Sequence, residues 1–235
     1  MDIIRTKEAF LEGQLLLIDK PLTWTSFQVV NKMRWAIRKE FDIKKIKVGH
    51  AGTLDPLATG LMLICTGRMT KQIAQFMGMH KTYTGSFRLG ATTPSYDLET
   101  SVSDPKPTDH ISAAMLEEVR AGFLGNIQQK PPIYAAIKKD GKRLYTLARA
   151  GKTIEIPSRE VQITDFELTD VNMPDVSFSV SCSKGTYIRS LAHDFGQKLG
   201  CGAHLTSLKR TAIGSYPLSA ALTLDAFLHS LEAKS

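Results

Sequence analysis

Cysteine is scarce in this 235-residue chain: Cys65, Cys182 and Cys201 are an odd number with no close pair. They supply neither a disulfide frame nor a zinc site and suit a reducing cytosol, so a cytoplasmic protein with three core thiols is expected. No hydrophobic run approaches the length of a membrane span. The opening residues, Met1-Asp2-Ile3-Ile4-Arg5, have no basic region followed by an apolar core and do not read as a secretion signal. Internal repeats and low-complexity linkers are missing. So are a Rossmann fingerprint, a P-loop and a metal-ligand cluster. Gly151-Lys152-Thr153 is superficially like a phosphate loop, but Thr146 stands where that pattern needs its first glycine.

What is present is a chain that is 43% hydrophobic, enough to fold around a substantial core as one large domain or two small ones. Its net charge is +7, which favours a polyanionic partner. Basic residues cluster over 32–47, over 138–149 and at Lys209-Arg210. Each cluster alone could be a solvated face; three together favour nucleic acid.

One stretch organises the rest: Gly49-His50-Ala51-Gly52-Thr53-Leu54-Asp55-Pro56-Leu57-Ala58-Thr59-Gly60. Three glycines and a proline predict an irregular loop. It lies between Ile46-Lys47-Val48 and Leu61-Met62-Leu63-Ile64, which read as strand ends. Asp55 is its one acid. Pro56 biases that residue towards an extended backbone, and the glycines admit close approach by another backbone or a flat ligand.

Around it, Leu15-Leu16-Leu17-Ile18 predicts a buried strand. Thr25 or Ser26 caps a helix whose stripe is Phe27, Val30, Met33 and Ile37. A strand is expected over 61–65, a helix from Gly67 through Met77, and a strand over 81–90 with Tyr83, Gly85 and Phe87 on one face. Residues 92–109 read as loop and 111–123 as a surface helix. A turn is expected at Asp140-Gly141 and a helix over 144–150. Alternating runs over 154–182 predict a meander of short strands. A helix over 191–199 is broken at Gly200-Cys201-Gly202, and a last helix begins near Thr223.

His50-Ala51-Gly52-Thr53-Leu54-Asp55-Pro56-Leu57-Ala58-Thr59-Gly60 resembles the active-site motif of the TruB family of pseudouridine synthases. So do Lys20-Pro21 with Thr25-Ser26, Gly67-Arg68-Met69-Thr70-Lys71, Lys81-Thr82-Tyr83 before Leu89-Gly90, Gly185-Thr186-Tyr187-Ile188-Arg189, and residues 203–211. Together they cover roughly residues 14–228. One departure is Thr23, where the family usually has glycine.

The resemblance implies an α/β (α+β) pseudouridine synthase fold with a mixed, mainly antiparallel central sheet flanked by helices and loops. It implies one catalytic domain over 1–235, with an RNA-contacting insertion near 124–155 in which Tyr134 or Tyr145 could stack on bases. Too few residues remain for a C-terminal PUA-type domain. The implied activity is isomerisation of the T-loop uridine of tRNA to pseudouridine, by base flipping and aspartate-dependent cleavage of the glycosidic bond. No cofactor and no metal are expected, and the partner is the T-stem-loop of tRNA. A monomer needing neither a protein partner nor a membrane is expected.

Asp55 takes the catalytic place. Arg189 would hold its carboxylate, Tyr83 would stack on the detached uracil, and His50 would brace the vacated space. Tyr187 and Leu208 would line the uridine pocket, with Lys20 and Lys71 touching the RNA backbone. Two rivals are a non-catalytic RNA-binding or RNA-folding protein on the same scaffold and a metal-dependent hydrolase. The hydrolase lacks a second acid near Asp55.

Overall fold

The computed structural model describes residues 3–134, 138–139, 142–143 and 156–232. In chain order the elements are α1 (Lys7–Glu12), β1 (Leu15–Lys20), α2 (Ser26–Glu40), β2 (Val48–His50), β3 (Ala58–Thr66), a 3-10 turn (Gly67–Gln72), α3 (Ile73–Gly78) and β4 (Lys81–Leu89). Then come α4 (Ala113–Ala121), β5 (Gly125–Gln129), a short pair β6 (Lys138–Lys139) and β7 (Lys142–Arg143), β8 (Arg159–Asn172) and β9 (Asp175–Cys182). The described chain ends with α5 (Ile188–Lys198), β10 (Ala203–Ile213), β11 (Tyr216–Pro217), β12 (Leu222–Thr223) and α6 (Leu224–Glu232). None of the described helices is long and apolar enough to cross a membrane.

The chain divides into two compact units, residues 1–83 with 208–235, and residues 84–207. Strands β4 and β10 each contribute residues to both. In the first unit the strand order is β12-β1-β3-β10, with β2 also on β3 and β11 on β10. β1 lies antiparallel to β3 and β3 parallel to β10. Leu15, Leu17, Leu61, Leu63 and Cys65 form one buried cluster with Phe76 and Ile213. Leu16, Ile18, Met62 and Ile64 alternate with them and are buried too. A strand with both faces covered reads as a continuous apolar run, which is what this one is.

Helix α2 starts where expected. Thr25 accepts from the Gln28 backbone N–H at 3.1 Å and Gln28 returns the bond to the Thr25 N–H at 2.7 Å, a capping box. Its stripe differs from the expected one. The buried residues are Ser26, Val29, Val30, Met33 and Ile37, while Phe27 is 65% exposed. One residue after Ser26 is a rotation of about 100°, which carries Phe27 off the buried face.

In the second unit the order is β4-β9-β8-β5, with β9 and β5 both antiparallel to β8. Phe87, Phe123, Phe166, Phe178 and Phe195 make its aromatic core; the Phe195 ring centre is 4.9 Å from Phe87 and 6.0 Å from Phe123 and Phe166. β8 and β9 are one long hairpin rather than a meander of short strands. Gly125–Gln129, placed by the sequence in the RNA-contacting insertion, is a sheet strand paired with β8. The expected turn at 140–141, the helix over 144–150 and Tyr145 lie outside the described residues. All three cysteines are buried as expected. The mixed, mainly antiparallel architecture with flanking helices is the one the motifs implied.

Candidate active site

The organising stretch is less irregular than its glycines suggest. β2 runs through His50 and β3 begins at Ala58, so the true loop is residues 51–57. Gly60 sits inside β3 with φ +103. A Cβ there would meet the Arg210 carbonyl oxygen at 2.3 Å, so the glycine is required by the neighbouring β10 backbone.

Backbone groups fix the loop on both sides of Asp55. Buried Ser26 accepts from the Leu54 N–H at 2.8 Å and donates to the Leu54 carbonyl at 3.0 Å. On the other side, the Thr23 N–H and the Lys20 ammonium donate to the Pro56 carbonyl at 2.9 and 3.3 Å. The Ala58 N–H closes onto the Asp55 carbonyl at 3.1 Å. Asp55 is half-buried, and these bonds hold its segment through main-chain groups.

Lys20 is a buried cation. It is 1% exposed, and its ammonium also donates to the carbonyls of Pro21 at 2.9 Å and Trp24 at 2.6 Å. It ties residues 21–24 to the loop that carries Asp55. Burial lowers its pKa to about 8, against the raising influence of the nearby Asp55 charge. A lowered amine pKa means that the unfolded chain binds more protons between the two values. Stability therefore rises as pH climbs from about 8 towards the ordinary 10.5. Urea unfolding of wild type and Lys20→Met across that range should show the wild type gaining relative to the variant; a constant gap would contradict this.

Thr23 gives a second finding. Its φ is +70, a left-handed conformation that glycine adopts without a Cβ penalty. The family's usual glycine is thereby explained, and the turn survives its replacement. Thr23→Gly is expected to stabilise the fold by about 1 kcal/mol, measured by urea unfolding.

His50 ends β2, and its buried Nδ1 has no hydrogen-bond partner among the described residues. Burial and then the Arg210 charge lower its pKa, so the imidazole is neutral at pH 7. Arg210 follows Lys209 in a basic pair, yet it is 1% exposed and donates to the carbonyls of Leu61 at 2.7 Å and Gly52 at 3.2 Å. Strand alternation separates the pair, with Lys209 outward and Arg210 inward. Leu208, half-buried, registers against Ala58, and Tyr83 is buried on β4. Lys71 is exposed on the 3-10 turn.

The second unit holds Tyr187 and Arg189. α5 begins at Ile188, three residues before the expected start. No Ser, Thr or Asp marks this end; Tyr187 is its N-cap and makes no side-chain cap bond. Instead the fully buried Gln129 clamps the Tyr187 peptide, accepting from its N–H at 2.8 Å and donating to its carbonyl at 3.0 Å. The Arg159 guanidinium lies over the Tyr187 ring at 4.7 Å and donates to the Gly185 carbonyl. Arg189 is buried. It donates to the carbonyls of Ser95 at 3.1 Å and Tyr134 at 3.3 Å, and its Nε is 3.6 Å from the buried Asp97 carboxylate.

These contacts fall on the segments that carry the sequence motifs. The pattern of the TruB family pseudouridylate synthase N-terminal domain matches residues 38–188, and that of the tRNA pseudouridylate synthase B C-terminal domain matches 189–235. The chain belongs to the TruB family. A tRNA pseudouridine synthase B of Flavobacterium johnsoniae is 56% identical over 228 residues, which is 97% of this chain and 100% of the relative. Its counterpart from Phocaeicola vulgatus is 51% identical over 218 residues, 93% of each chain. A chain in the crystal structure of a Cbf5-Nop10-Gar1 complex matches with TM-score 0.69 and 27% identity over 94% of this chain, which spans 54% of that one.

In each unit, buried polar residues hold the motif-bearing segments in ways that sequence spacing does not announce: Ser26 and Arg210 in the first, Asp97 and Gln129 in the second. Asp97 lay in a stretch read only as loop, and Gln129 is a polar residue in a buried strand position that nothing nearby announces. Gln129→Leu leaves the Tyr187 N–H and carbonyl unpaired and should destabilise the protein by roughly 1–3 kcal/mol in urea unfolding.

Proposed function

We propose that this chain isomerises the T-loop uridine of tRNA, nucleotide 55, to pseudouridine, with Asp55 as the catalytic residue. The supporting observation is the 56% identity over nearly the full chain to a relative named tRNA pseudouridine synthase B, with the aspartate motif intact. In this reaction the N1–C1′ bond breaks, the uracil turns, and a C5–C1′ bond forms. C5 loses its proton and N1 gains one, so no atoms are lost and no electrons leave. Attack of the carboxylate at C1′ and its abstraction of a sugar proton to form a glycal both begin from ionised Asp55.

The remaining roles follow the motifs. Arg189 holds the carboxylate ionised and oriented, for which a planar guanidinium is suited. Tyr83 stacks on the freed uracil, Tyr187 and Leu208 line the pocket, and neutral His50 braces the space left by the flipped base. Flipping costs on the order of a few kcal/mol, offset by stacking and by cations such as Lys71. The protein acts as a cytoplasmic monomer without a protein partner. Tritium release from a T-stem-loop carrying C5-labelled uridine tests the activity; RNA binding without release would favour the non-catalytic reading.

A further inference from the structure

The first unit contains a cleft of about 520 Å³ that the catalytic reading does not use. Five cations line it: Arg34 and Arg38 from α2, and Lys44, Lys45 and Lys47 from the segment leading to β2. Among the described residues no acidic side chain lines it. Among the described residues none of the five has a carboxylate within 4.0 Å, although exposed Glu40 and Asp42 are close in sequence.

The two arginines are held in place by neutral groups. Arg34 donates to the Asn31 side-chain oxygen at 2.8 Å and to the Val48 carbonyl at 2.9 Å, and Arg38 donates through Nε to the Ile43 carbonyl at 3.2 Å. A guanidinium has five N–H donors, so most remain for an outside acceptor. Arg34 and Arg38 are four residues apart on one helix, which puts them side by side. A solvated face mixes charges of both signs, whereas this one concentrates positive charge in a concavity and pre-orders part of it. A lone anion would neutralise only part of five charges; a run of phosphates meets them all.

We propose that this cleft binds the phosphodiester backbone of the RNA substrate, as a site for the chain of phosphates rather than for the reacting base. The inference rests on the RNA-modifying function proposed above. Counterion release makes such binding salt-dependent, with about 0.7–0.9 of slope per phosphate contact.

The test compares R38E/K45E with R5E/K7E, which makes the same change in net charge on exposed residues outside the cleft. Filter binding of unmodified tRNA over a salt series should show Kd raised at least tenfold for R38E/K45E, with the salt slope lower by about 1.5. R5E/K7E should stay within threefold of wild type, and R38Q/K45Q should fall between. Equal losses in R38E/K45E and R5E/K7E would overturn the proposal, since net charge alone would then explain them. Unchanged tRNA affinity in R38E/K45E would overturn it too, including the case in which wild type binds inorganic phosphate and R38E/K45E does not. Thermal melts matching wild type show that the variants are folded. Failure of wild type to release tritium would count against the isomerase function, while the binding comparison still decides the cleft.

Discussion

Asp55→Asn binds a T-stem-loop within a few-fold of wild-type affinity and releases tritium from C5-labelled uridine at less than about 10⁻³ of the wild-type rate, the scale expected when the group that begins the covalent chemistry is removed. The expected separation of binding from catalysis comes from how the loop is built. Ser26 holds Leu54, Thr23 and Lys20 hold Pro56, and Ala58 holds the Asp55 carbonyl, all through backbone groups. An amide of nearly the same shape leaves those bonds in place and removes only the charge. Urea unfolding should therefore show little change. Full tritium release by Asp55→Asn would end the assignment of this residue.

Gly60→Ala is expected to damage the fold heavily for a change of one methyl group. A single methyl would lie 2.3 Å from the Arg210 carbonyl oxygen and 2.7 Å from its nitrogen, at a φ of +103. Both obstacles are backbone, so no side-chain rotation relieves them. Strain and overpacking together should cost about 3 kcal/mol or more, which for a chain of this size lowers the melting midpoint by roughly 10 °C. The same shift moves β10, which carries Leu208 and Arg210, away from β3. Activity at a temperature where the variant remains folded should fall as well. A variant melting within 2–3 °C of wild type, on the scale of about 1 kcal/mol, would show that β3 and β10 are not as closely packed as described.

The sequence was most informative where local chemistry and tertiary need coincide. Thr25 followed by Gln28 marks a helix start, and the helix starts there. The run from Leu15 to Ile18 is continuously apolar because both faces of β1 are covered. It was least informative about buried charge. Lys20 and Arg210 look like surface cations by type, yet each is 1% exposed and bonded to main-chain carbonyls. Such a site depends on three-dimensional placement of backbone oxygens, which no spacing rule records. Glycine misled in a related way: Gly60 reads as loop but is a strand residue kept small by another strand. The motifs named Asp55 and Arg189 as site residues. They did not name Gln129, whose amide holds the Tyr187 peptide from 58 residues away in sequence. Nor did they show that the basic cluster over 32–47 gathers into a cleft.

The most direct test is to incubate purified protein with an unmodified tRNA transcript and map pseudouridine by carbodiimide labelling and primer extension. The expected result is one new stop at the T-loop uridine, present with wild type and absent with Asp55→Asn. A transcript that stays unmodified, or a stop that persists with Asp55→Asn, would contradict the central claim.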